Sequence, residues 1–200
     1  MYWYQVAGIE SCHGHLKKGE KMIKTITLKW LQSKDACKES IEAWHKETDH
    51  GTLATLNRLV VKNPKWGNWL ICRIMNKNQS VQYAIFAAEQ VIDIYEGKYP
   101  DDKRPRNAIE AAKAYLKNPS KKTKAYAADA GYGATYAAGY SAGYAVTYAA
   151  AAAIYAADAA GYAAADADGA DAAGAERRKM KVKILKYGIR LLEQSRKERV

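Results

Sequence analysis

Three cations, Lys103, Arg104 and Arg106, surround Pro105, at a point where a first-turn proline is tolerated and a helix is expected to begin. The free N–H groups of a helix start already favour negative charge, so this cluster could serve as a phosphate or carboxylate site. The bland alternative is charge pairing with Asp101 and Asp102 immediately upstream. Asp166, Asp168 and Asp171 around Gly169 offer carboxylates on a kinked turn, as a calcium loop would. The register fails, because the twelfth position counted from Asp166 is Arg177 and the glycine falls two places early. His45 and His50 are five apart rather than four, and no cysteine or acid completes a zinc set around them. Cys12-His13-Gly14-His15 has ligand types but sits in a stretch without periodicity. No nucleophile elbow, phosphate loop, dinucleotide fingerprint, zincin or kinase pattern is present, and Ser141 and Ser195 lack a neighbouring base. The residues therefore predict no catalytic group, no metal site and no cofactor.

Charge is distributed unevenly along the 200 residues. The overall +11 resolves into +9 over residues 1–124, −5 over 125–175 and +7 over 176–200. Such a surplus attracts anionic partners over long range: nucleic acid, a nucleotide or an acidic protein. Within the tail, Arg177, Arg178 and Lys181 are the candidate contacts to nucleic acid or to a partner, although interleaved apolar residues equally suit the basic outer face of a docked helix.

The elements that must position these groups read as helices. Ser33 can cap a helix over 34–49 with Cys37, Ile41 and Trp44 on one face and Gly51 beyond it. Thr52 can cap a second, with Leu53, Leu56, Leu59 and Val60 inward, closed by Asn63-Pro64. Trp66 to Met75 forms a short apolar third, whose Trp66 and Trp69 read as core. Ser80 is expected to cap a longer helix with Val81, Ala84, Ile85, Ala88, Val91, Ile92 and Tyr95 at helical spacing and Gly97 just past its end. Another helix should run from about Pro105 to Lys117 and stop at Asn118-Pro119.

Residues 125–175 hold 26 alanines and no lysine or arginine. Tyrosines at 132, 136, 140, 144 and 148, then at 155 and 162, follow a helical period, and alanine is the best helix former. An unbroken helix of that length would reach roughly 75 Å, so a helical hairpin with a break near Gly131-Tyr132-Gly133 or between Gly161 and Gly174 is expected. The uncharged run between Asp129 and Asp158 is long enough for a bilayer, but Val146 and Ile154 are its only strongly apolar aliphatic residues, which argues against insertion. After it, Val182, Leu185, Ile189 and Leu192 give the tail an amphipathic pattern that needs a partner.

These segments predict an all-α protein: a compact multi-helix bundle with a long alanine- and tyrosine-rich hairpin and a basic amphipathic C-terminal helix. Residues 22–200 read as one domain, divided into short helices (33–118), the alanine/tyrosine tract (125–175) and the basic helix (176–200). Residues 1–21 read as a leader that is disordered or not native, since Lys18-Gly19-Glu20-Lys21 before Met22 resembles a translated ribosome-binding site. Three cysteines without regular spacing, and no signal sequence, fit a reducing cytoplasm.

At Arg104-Pro105-Arg106-Asn107-Ala108-Ile109-Glu110-Ala111-Ala112, and in Ala84-Ile85-Phe86-Ala87-Ala88-Glu89-Gln90-Val91, the chain resembles a family of alanine-rich helical proteins of phages, prophages and other bacteria, the putative immunity proteins. The resemblance spans about residues 53–175. It implies a helical, non-enzymatic protein that neutralises a toxin or interferes with a host defence. The tract here departs from the family's usual pattern in having no arginine.

Three functions remain open at this point. One is stoichiometric binding of a protein partner, with the alanine-rich helices as scaffold or self-association surface for a homo-oligomer. Another is sequestration of an anionic nucleotide by Lys103, Arg104 and Arg106. The third is nucleic-acid binding through the basic tail.

Overall fold

The computed structural model describes residues 23–123, Tyr126 and residues 170–197. The leader and nearly all of the alanine/tyrosine tract, including the expected hairpin, lie outside the described residues. The chain is all-α. Among the described residues its helices include α1 (Leu28–Ser33), α2 (Lys38–His45), α3 (Thr52–Lys62), α4 (Pro64–Ile74), α5 (Lys77–Glu89), α6 (Ile92–Lys98), α7 (Arg104–Lys117) and α8 (Ala170–Lys197). Among the described residues the sole β feature is an isolated antiparallel bridge between Thr25 and Gly51.

Local chemistry moves several helix starts from where the sequence pattern puts them. α1 was not anticipated; Thr27 caps it by accepting a hydrogen bond from the Trp30 N–H at 3.2 Å. Ser33 ends α1 instead of starting the next helix, and its hydroxyl donates to the Trp30 carbonyl. Asp35 then takes a left-handed φ of 54°, and α2 begins only after Cys37. Gly51, not Thr52, is the N-cap of α3, because the buried Thr52 hydroxyl donates to the Ile23 carbonyl at 2.8 Å. α5 starts at a reciprocal capping box: Asn76 Oδ1 accepts from the Gln79 N–H, and Gln79 Oε1 accepts from the Asn76 N–H. That box pre-empts Ser80, whose hydroxyl turns back to the Asn76 carbonyl.

The long helix expected after Ser80 breaks at Gln90-Val91, and its remainder is α6, which includes Gly97. Its buried face also differs from the apolar stripe. Tyr83 and Ala87 are fully buried, whereas Ala84, Ile85 and Ala88 are half-buried. The cause is that α5 lies between two neighbours, α8 and α7, so it needs two apolar faces. Val81 and Ile85 meet Ala111, Ala112, Tyr115 and Leu116 of α7, while Tyr83 and Ala87 join the main core.

α8 is the partner-seeking tail of the sequence pattern, and its partners are α3, α4 and α5. Ile184, Leu185, Ile189, Leu191 and Leu192 are buried in the main core with Leu56, Val60, Leu70, Ile71, Ile74 and Met75. Each such aliphatic contributes about 1.5–3 kcal/mol on burial, which outweighs the screened repulsion among the helix's exposed cations. α4 approaches closely at Gly67, where an added Cβ would already touch Leu59 at 3.4 Å and Leu185 at 3.6 Å.

Candidate functional site

The predicted anion cluster sits at the start of α7, and α6 supplies carboxylates to it. Asp102 receives Arg104 through two side-chain bonds, Nε to Oδ1 at 2.8 Å and Nη2 to Oδ2 at 2.7 Å, and through the Arg104 backbone N–H. Asp102 also accepts the Tyr95 hydroxyl at 2.8 Å. Arg106 reaches back to α6, donating to both oxygens of Glu96 at 2.9 and 2.6 Å and to Asp93 at 3.2 Å. Upstream pairing therefore holds for Arg104 with Asp102, while Arg106 finds Glu96 and Asp93 instead. Sequence reasoning missed the latter pair because ten residues and a turn separate the partners.

The electrostatics follow from these bonds. The Arg104 side chain, aided by its backbone N–H and the Tyr95 hydroxyl, holds the Asp102 carboxyl well below the usual carboxylate range. Hydrogen bonding to Arg106 lowers Glu96, and Glu96 in turn raises Arg106. Burial and the bond to Asp102 raise the Tyr95 phenol. Lys103 is exposed at the N-cap of α7. The arrangement is a clasp between α6 and α7 whose two guanidinium groups already hold carboxylates.

On α8, Lys179, Lys183, Lys186 and Arg190 are exposed and recur at intervals of four, three and four, so they form one row along the helix opposite its buried face. Arg178 is also exposed and donates to the Val61 carbonyl at 3.2 Å, which ties α8 to the end of α3. Lys181 is half-buried, and the Arg177 side chain lies outside the described residues.

A feature absent from the sequence reading is a cavity of about 330 Å³ among α1 to α4. Trp44, Trp66 and Trp69 line it with Leu31, Leu59 and Leu70, and Arg58, Lys62, Lys65, Asp35 and Glu47 contribute charge. Trp66 and Trp69 are thus half-buried wall residues and not closed core. Trp69 is fixed by an edge contact with Trp30 and by Arg73 over its ring at 4.1 Å. Trp44 donates its indole N–H to the Ile26 carbonyl and stacks on His50 at 4.1 Å. His50 Nδ1 is buried with no hydrogen-bond partner among the described residues. The signal in the sequence was three tryptophans within 26 positions, interleaved with Arg58, Lys62 and Lys65.

Among the described residues no helix is long and apolar enough to cross a membrane, and no group of three or more His, Cys, Asp or Glu could hold a metal ion. Cys37 is exposed, Cys72 is buried, and neither forms a disulfide among the described residues. What the described residues define is an all-helical protein with a basic outer helix, a carboxylate-filled arginine clasp and a tryptophan-walled cavity. The chain belongs to the family described as Imm-5 like putative immunity protein, whose model matches residues 70–173, just over half its length. Both strings that carry the resemblance, 84–91 and 104–112, fall inside the match. No curated protein and no solved structure matches the chain.

Proposed function

We propose that this chain is a cytoplasmic immunity protein that neutralises a toxic protein by stoichiometric binding, without chemistry of its own. Membership of the immunity family over residues 70–173 is the observation that carries this reading. Two features support binding of an acidic partner: the net charge of +11, and the exposed row Lys179, Lys183, Lys186 and Arg190. Sequestration of a nucleotide at Arg104 and Arg106 draws less support, because an incoming phosphate would have to displace Asp102, Glu96 and Asp93. Self-association through the alanine-rich tract fits the same role as a scaffold.

The test is co-expression with the products of genes adjacent to its own, scored by growth and then by calorimetry on the purified pair. A binder protects only when it equals or exceeds the toxin, with a one-to-one endpoint. Protection at a small fraction of the toxin's concentration would point to turnover and refute the proposal. A second reading, nucleic-acid binding, is favoured by the same basic row. It predicts an affinity for DNA or RNA that falls steeply with salt.

A further inference from the structure

We infer that the cavity among α1 to α4 is an anchor site for a bulky apolar side chain, aromatic by preference, carried on an acidic segment of a protein partner. The inference rests on the binding role proposed above and names the surface that would perform it. The cavity's lining, at positions 26–70, lies almost wholly before the family match at 70–173, so family membership does not supply it.

Shape and chemistry give the anchor. A volume of about 330 Å³ is at the lower end of what small ligands occupy and suits one large side chain. Its walls are the rings of Trp44, Trp66 and Trp69, which offer flat apolar faces to another ring. Those walls are held in place: Trp44 by its bond to the Ile26 carbonyl, Trp69 by Trp30 and Arg73. A rigid pocket loses little entropy when filled, and buried aromatic anchors dominate binding energy at protein interfaces.

Charge gives the flank. Glu47 is shared by Arg58 at 3.3 Å and Lys62 at 3.2 Å, so one carboxylate answers two cations. Lys65 is exposed beside them with no carboxylate partner among the described residues, and Asp35 is the one further acid of the lining. Arg178 of α8 bonds to the carbonyl of Val61, the residue before Lys62, and so places one further cation at the C-terminal end of α3. An acidic segment carrying the anchor would meet Arg58 and Lys62 of α3 and Lys65 of α4.

The experiment uses the full chain and an acetylated, amidated peptide, Asp-Glu-Phe-Glu-Asp, followed by the indole N–H signals of Trp44, Trp66 and Trp69. The expected result is saturable shifts in these signals. Affinity should fall at least about tenfold when alanine replaces the peptide's phenylalanine or lysines replace its acids. Ala43→Phe, which fills the cavity, should abolish the shifts. Lys65→Glu, a surface change that leaves the core intact, should weaken them and reduce their salt dependence. Silent indoles, or equal shifts with the alanine peptide, overturn the inference. Two other occupants would overturn it as well: a second copy, seen as concentration-dependent indole shifts without peptide, or residues 1–22, seen if their removal alone shifts the same signals. If the peptide binds as described while no toxic partner is neutralised, the cavity stands and the immunity reading falls. If a neutralised partner binds wild type and Ala43→Phe equally, the cavity falls and the immunity reading stands.

Discussion

The ring of Tyr83 lies directly against the backbone of Gly188: a Cβ added at Gly188 would come within 2.8 Å of Tyr83 Cε2 and 3.1 Å of Ile71 Cδ1. Tyr83 is fully buried, and its hydroxyl donates to Asn68 Oδ1 at 2.7 Å, so the ring has no room to retreat. This contact sets the spacing between α5 and α8.

Gly188→Ala should therefore destabilise the protein by about 1–3 kcal/mol, since overpacking outweighs the roughly 1 kcal/mol that alanine gains over glycine inside a helix. Gly97→Ala is the matched control. Nothing lies within 4 Å of a Cβ there, so a gain of about 0.5–1 kcal/mol is expected. Urea unfolding of the two variants should move the midpoint in opposite directions.

Gln79 joins the start of α5 to the end of α8. Its Oε1 closes the capping box with Asn76, and its Nε2 donates to the Leu191 carbonyl at 3.1 Å and to the Ser195 hydroxyl. Gln79→Ala is expected to cost about 1–3 kcal/mol by removing both. Gln79→Glu keeps the acceptor but loses the donor when ionised. Its stability should accordingly recover as the pH is lowered and the new carboxyl takes up a proton, which a series of urea melts across pH would reveal.

The pH profile should have an edge at each end. Asp102 and Glu96 are lowered chiefly by hydrogen bonds from Arg104 and Arg106. Carboxyls lowered in the folded state favour it above their ordinary pKa, and that contribution is lost as pH falls through the folded value. The thermal midpoint should hold between about pH 7 and 5 and drop below about pH 4. Arg104→Gln with Arg106→Gln should flatten that acid edge. Burial, with Cys72 second, pushes the Tyr83 phenol far up. Its contribution is complete below the ordinary tyrosine pKa of about 10 and is lost as the pH rises beyond it. Tyr83→Phe should soften the alkaline edge.

Reversing the exposed row on α8, with Lys183→Glu, Lys186→Glu and Arg190→Glu together, should leave helicity by circular dichroism nearly unchanged, because all three are solvent-exposed. Binding of an acidic partner or of nucleic acid should weaken by at least about tenfold at low salt and differ less at high salt. Equal affinity for wild type and variant would remove this face from the interface.

Much of the helix pattern was legible because period and punctuation act locally. Asn63-Pro64 closes α3 and opens α4, with Asn63 Oδ1 capping the Trp66 N–H, and Asn118 ends α7. Leu185, Ile189 and Leu192 fall on the buried face of α8 as their spacing demands. Competition among neighbouring caps was not legible: Ser33 and Ser80 have the right residue type, but their hydroxyls bond to nearby carbonyls. The cations Lys103, Arg104 and Arg106 could be picked out by type and position, and pairing with Asp102 was one of the readings offered, whereas the hold of Glu96 and Asp93 on Arg106 was not legible.

By itself the sequence determined that this protein is helical and basic in its tail, since periodicity and composition are properties of neighbouring residues. Only the tertiary structure decided that Arg106 would be held by Glu96 and Asp93, that Tyr83 would press on Gly188, and that three tryptophans would wall a cavity. Each of those outcomes depends on which helix faces meet after the chain turns. Those contacts are fixed by the packing of the whole core, and no local stretch of the chain encodes them.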